Sequence, residues 1–232
     1  QYKSNKGGKK QFSVSTQHYS FAVSAFIDLI NQSDVDSYDF SLRETQTYEI
    51  IDDVAYMKSE IGLLYYNDFN RPVLEKLIHT NELTFTELFT AHPHIFIGKT
   101  HPLANKDVVS MDELEEYPYI SFEQGDHNSF YFSEEIFSTV VRPKHIRVRD
   151  RASLFSLLLG LNGYTVSSGV IDKEVNGENI ISVPLAEEGL MHIGYITNNK
   201  MQRSRLGQVY IQALEQYVGN YGRHIQLPED KK

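Results

Sequence analysis

The segment Ile61 to Asn67, IGLLYYN, is an unbroken apolar run of strand length. A strand with no polar face needs cover on both sides, which is the position of a parallel strand sandwiched between helices. What precedes it fits that demand. FSVST (12 to 16) alternates apolar and polar residues, and Tyr19 to Ile30 follows as a long apolar helix with a polar stripe at Ser20, Ser24 and Asp28. DFSLRET (39 to 45) alternates again, and helical spacing runs from Tyr48 through Ile51, Val54 and Ala55. The order strand, helix, strand, helix, strand predicts an α/β lobe.

RPVLEKLIHT (71 to 80) reads as a further helix, HIFIGK (94 to 99) as a strand, VSMDELEEY (109 to 117) as a short helix entered through Ser110, and PYISF (118 to 122) as a strand. Residues 128 to 141 read as a helix whose carboxylates Glu134 and Glu135, like Glu115 and Glu116, lie on an exposed face. HIRVR (145 to 149) is a strand. DRASLFSLLLGLNG (150 to 163) is a helix with Asp150 as N-cap and Gly163 as left-handed terminator. Strands at 164 to 167, 179 to 184 and 191 to 197 lead to an amphipathic helix carrying Leu206, Val209, Tyr210, Ala213, Leu214, Tyr217 and Val218 on one face.

Composition narrows the function. The 22 Lys and Arg stand against 31 Asp and Glu, a net charge of -9 that repels a phosphate backbone. There is no cysteine, hence no thiol nucleophile, disulfide or thiolate metal site. His92 and His94, with His79 and His101 nearby, raise zinc, but no ligand spacing of a zinc site accompanies them and no metal or cofactor is expected. Neither a nucleophile elbow, a phosphate loop nor a dinucleotide glycine fingerprint is present, so the reading is a binding domain and not an enzyme. No stretch is long and apolar enough for a membrane span, and a cytoplasmic location is compatible. The polar start QYKSNKGGKK, without Met, reads as a linker (1 to 10) cut from a longer chain.

HPLANKDVVSMDELEEYPYISF (101 to 122) resembles a segment of LysR-type effector-binding domains: His-Pro-Leu-Ala, an acidic Asp-Glu-Leu helix start, then a Pro-initiated strand. DRASLFSLLLGLNGYTVSSGVI (150 to 171) resembles the same family's helix, glycine turn and strand, and IISVPLAEE (180 to 188) its Val-Pro-Leu strand. One departure is Ser167, Ser168 and Gly169 where that family often has Leu-Pro. The resemblance implies a two-lobed fold like type 2 periplasmic binding proteins, with subdomain I at 11 to 97 and 195 to 226 and subdomain II at 98 to 194. It places crossing strands at about Ile95 to Lys99 and Met191 to Thr197, and a small-molecule effector between the lobes. It further implies a winged helix-turn-helix ahead of Gln1, through which alone DNA would be touched, and a homodimer or tetramer built by helix 19 to 30 against helix 151 to 162. A transport-linked solute-binding protein is the alternative with the same fold.

In such a fold ligands gather where helix N-termini offer free N–H groups, which favours an anionic or amino-acid-like effector. Three polar strand-to-helix turns are candidates: Ser15, Thr16, Gln17 and His18; Ser121, Phe122, Glu123 and Gln124; and Arg151 with Ser153. Ser15, Thr16 or Ser153 serve equally well as plain helix caps, and 121 to 125 as an ordinary turn. The alternate residues His145, Arg147, Arg149 and Arg151 form one cationic face, either drawing an anion inward or paired with surface carboxylates.

Overall fold

The computed structural model describes residues 8 to 171, 177 to 219 and 225 to 226. Among these the chain builds two lobes around separate sheets. The larger sheet has six strands in the order β11 (Ile225–Gln226), β4 (Leu83–Ala91), β10 (Met191–Asn198), β3 (Ile61–Tyr66), β1 (Lys10–Thr16) and β2 (Tyr38–Glu44). β1 pairs in parallel with β2 and β3, whereas β10 runs antiparallel to β3 and β4.

β3 explains the apolar run. Leu63 and Tyr65 belong to the core under α1 (Ser20–Gln32) and α5 (Arg205–Gly219), while Leu64 and Tyr66 belong to the core under α2 (Thr47–Ala55) and α3 (Arg71–Thr80). Successive side chains leave opposite faces, so only an all-apolar strand satisfies both layers. On the α1/α5 side, Phe12, Phe26, Phe40 and Tyr210 pack ring against ring, and the buried Tyr210 hydroxyl donates to the Ala22 carbonyl at 2.9 Å.

The second lobe holds β8 (Thr165–Ser167), β5 (His94–Gly98) and β9 (Ile180–Pro184) in one antiparallel sheet, and β6 (Tyr119–Phe122) with β7 (His145–Val148) in a parallel pair. A bridge between Tyr119 and Tyr164 joins the two. α4 (Arg151–Leu161) buries Leu154 and Leu158 against Ile120, Ile171 and Ile180. The chain leaves the six-stranded sheet after Ala91 and returns at Met191, so the divisions expected at 97/98 and 194/195 fall inside β5 and β10.

Three expectations are corrected. Residues 128 to 141 hold no α-helix; short 3-10 turns at Gly125–His127 and Phe130–Phe132 and a non-helical stretch containing Glu134 and Glu135 stand there, with Phe137 at φ +63°. Of the expected helix at 109 to 117, only the 3-10 turn Asp112–Leu114 forms, closed by Ser110 N–H donating to the Glu113 carboxylate at 3.0 Å. Asp150 does cap α4, accepting from Ser153 N–H, but the left-handed terminal residue is Asn162 (φ 50°) and not Gly163.

Candidate functional site

The N-termini of α1 and α2 both point at the second lobe, and both are met by its side chains. The α1 end has no side-chain cap of its own, Tyr19 being the N-cap residue. Just ahead of it the Glu134 carboxylate accepts from His18 N–H at 2.8 Å and from His18 Nδ1 at 2.8 Å. At α2, Gln124 Oε1 accepts from Thr47 N–H at 3.0 Å, and Thr47 Oγ1 donates to the Phe132 carbonyl at 2.7 Å. Residues 123 to 138 thus form a strap that closes the two lobes on one another.

His18 is the centre of this closure. Its ring lies flat on Phe122, centroids 3.7 Å apart, and Nε2 contacts the Arg149 carbonyl at 2.9 Å. Both ring nitrogens therefore face acceptors, a carboxylate and a carbonyl, and only the imidazolium supplies two donors. Burial pulls the His18 pKa down, but the Glu134 charge and hydrogen bond outweigh it and the net shift is upward. Glu135 sits beside this pair, 3% exposed, accepting from Phe122 N–H at 2.9 Å. Burial first, and the neighbouring Glu134 second, push its pKa up to about 8, so it carries a proton at neutral pH.

Beside these polar groups lies a cavity of about 60 Å³, room for two or three waters. Tyr19, Phe96, Phe122, Phe155, Val166 and Ile171 supply its apolar wall, and His18, Glu134, Glu135, Arg151 and Ser168 its polar end. Arg151 Nη2 reaches across to Glu44 Oε1 at 2.8 Å, another contact between lobes. Nearer solvent a wider recess of about 340 Å³ opens between Glu44, Gln46, Glu123 and Arg149.

Of the residues expected at a binding turn, His18, Phe122 and Arg151 line the inner cavity, and Gln124 bonds the lobes together. Glu123 pairs with Arg149 at the outer recess. Ser15 is turned away, donating to Asp53 at 2.6 Å and sharing a 2.7 Å contact with Ser59. Thr16 donates to the Gln17 carbonyl, and buried Gln17 spans Thr47, Tyr65 N–H and the Tyr19 hydroxyl. Ser121 contacts His145 Nε2 at 2.7 Å on the other side of β6, and the exposed Ser153 bonds Asp150. Neither Ser15 nor Thr16 supplies a side chain that caps α1, and Asp150, not Ser153, caps α4.

Glu134 and Glu135, expected on an exposed helix face, are instead 9% and 3% exposed at the heart of the cleft. The only sequence signal for this is two adjacent carboxylates inside the apolar stretch FYFSEEIF. The histidines considered for zinc have other partners: His92 Nε2 lies on the Leu185 carbonyl, His94 Nδ1 on the His92 carbonyl, and His101 Nε2 on the Asn162 carbonyl.

A family model described as the LysR substrate binding domain matches residues 37 to 219. No curated protein matches the chain. Among solved structures, HinK, a LysR family transcriptional regulator from Pseudomonas aeruginosa, is 14% identical with a TM-score of 0.60, covering 94% of this chain and 73% of that one. The effector binding domain of QuiR in complex with shikimate is also 14% identical, TM-score 0.60, over 92% of this chain and 99% of that one. The regulatory domain of MetR, a LysR family regulator from N. meningitidis, gives 9% identity and a TM-score of 0.63 over 95% and 99%. At such identities these neighbours speak for the fold.

Proposed function

Since the chain belongs to the LysR substrate-binding domain family, we propose that it senses a small anionic or amino-acid-like effector in the interlobe cleft and performs no chemistry on it. The observation that carries this reading is a carboxylate already seated at the start of α1: Glu134 on His18 N–H and on the His18 ring, between the lobes. An effector carboxylate exchanges with Glu134 at that seat, where the His18 N–H, the imidazolium and the nearby positive end of α1 favour negative charge. Its apolar part enters the aromatic wall of Phe96, Phe122 and Phe155. At about 60 Å³ the closed cavity is far smaller than a multi-carbon metabolite requires. Binding therefore displaces the strap, and the change in lobe closure is the signal.

In this reading lobe I comprises the segments up to Ala91 and from Met191, and lobe II the segment between. Two copies pair through α1 against α4, where Ile27, Leu159 and Leu161 are 47%, 44% and 48% exposed. DNA is contacted by a winged helix-turn-helix ahead of this segment, in the cytoplasm. Among the described residues no helix is long and apolar enough to cross a membrane. A solute-binding role in transport is not favoured by the family match.

The test is a thermal-shift titration with small carboxylates and amino acids, shikimate included because the QuiR domain was solved with it. A specific ligand raises the midpoint steadily with concentration. Glu134→Gln, which weakens the internal competitor, increases that ligand's affinity. A panel without a single saturable shift, or a ligand indifferent to Glu134→Gln, refutes the exchange.

A further inference from the structure

A further pocket, about 270 Å³, lies within lobe II on the face of β6 and β7 away from α4, bordered by the strap and open to solvent along Asn128, His145 and Arg147. The parallel register sets Tyr119 beside His145 and Ser121 beside Arg147, so alternation brings all four to one face. His145, Arg147, Ser121, Asn128, Ser133 and Glu135 converge on the space. We propose that this cavity is a binding site for a small oxyanion, a phosphate group either free or esterified, with Arg147 as its counter-ion.

The charges support an anion. Arg142 is committed to the Tyr164 hydroxyl, to the Phe137 and Val140 carbonyls and to the face of Tyr119. Arg149 is paired with Glu123 and Arg151 with Glu44. The exposed Arg147 side chain has no hydrogen bond or ion pair among the described residues. His145 reports the resulting field: burial, then Arg147 and Arg142, pull its pKa down to about 4. The carboxyl in the wall does not cancel this charge, because Glu135 is protonated at neutral pH and is a donor. Glu123, the other carboxylate lining the space, is held by Arg149. What remains is one unmatched guanidinium amid hydroxyl and amide donors, the set that recognises phosphate oxygens. Its volume exceeds that of phosphate alone and leaves room for a short organic tail.

The experiment is calorimetric titration at constant ionic strength with inorganic phosphate in one arm and glycerol 3-phosphate in the other. The expected result is saturable binding to the wild type, weakened at least tenfold in Arg147→Gln and within twofold of wild type in Arg205→Gln, an equal charge change on α5. Tighter binding of the ester identifies a phosphorylated metabolite, and equal binding identifies free phosphate. Independently, the His145 imidazole titration followed by NMR rises by at least one pH unit when the wild type is saturated. No binding in either arm, equal binding to Arg147→Gln, or an unmoved His145 overturns the proposal.

Discussion

Replacing Glu135 by Gln gives the most direct test of the cleft's electrostatics. Gln keeps the shape and the carbonyl that accepts from Phe122 N–H, and removes the ionisable group. In the folded protein this carboxyl holds its proton up to about pH 8, against 4.5 for an unperturbed Glu. Between those values the native state binds a proton that the unfolded chain has already released. Stability is therefore present at low pH and is lost as pH rises, by about 1.4 kcal/mol per pH unit from this one group. Across the full window the loss is on the order of 5 kcal/mol, or roughly 15 °C of midpoint for a chain this long. Urea unfolding of wild type and Glu135→Gln at half-unit steps from pH 5 to 9 reads the term together with its coupling to Glu134 and His18, since titrations elsewhere cancel in the difference. The variant is expected to overtake the wild type steadily toward pH 8 and to run parallel beyond it. A difference that stays flat within about 0.5 kcal/mol would mean that Glu135 ionises normally, and the account of a dry, charge-crowded cleft would fall.

Other outcomes follow from the same geometry. Glu134→Ala removes the acceptor from both His18 N–H and the imidazolium, and is expected to cost roughly 3 kcal/mol in urea unfolding; the His18 contribution it deletes is full below pH 6.5 and fades as pH climbs through the raised folded pKa. Gly169→Ala is expected to lower stability by about 2 kcal/mol or more, because Gly169 sits at φ +82° and an added Cβ would lie 2.6 Å from His94 Cγ; calorimetry measures it. Leu158→Ala, at a fully buried position under α4, is expected to cost about 2–5 kcal/mol by the same method. Leu159→Asp, on the exposed side of α4, is expected to leave the midpoint nearly unchanged while converting a dimer to monomer in light scattering.

The fold was legible wherever a pattern had a local cause. IGLLYY announced a strand with two cores because each of its faces has one, and Asp150 announced a helix start because its side chain bonds the third residue along. β4 escaped notice although LTFTELFTA is rich in Thr and Phe. Its pairing with β10 slips between Ile193 and Gly194, where Phe89 and Glu87 are the successive partners, so Leu88 is an extra residue that breaks the alternation. The strap was misread for a different reason. Its acidic and apolar spacing is that of an amphipathic helix, but Glu134 bonds a residue 116 positions away and Glu135 one 13 away, and these contacts outbid the local preference. The same distance hid the cleft: polar turns at 15 to 18, 121 to 124 and 151 to 153 were visible, but which of their side chains face inward depends on partners such as Asp53, His145 and Asp150.

The two segments that pass between the lobes bond to one another. His92 Nε2 lies 2.7 Å from the Leu185 carbonyl, and Leu185 N–H donates to the Pro93 carbonyl at 3.0 Å. A joint made of two such tied ribbons resists twisting more than bending, which is the geometry that the proposed opening of the lobes requires. The strap ends on that hinge. Ile136 and Phe137 pack against Gly189 so closely that a Cβ there would meet each at 3.1 Å. In the proposed mechanism, pulling Glu134 off His18 shifts the far end of the same lever against the hinge itself, so that release of the latch and opening of the jaws become one mechanical event.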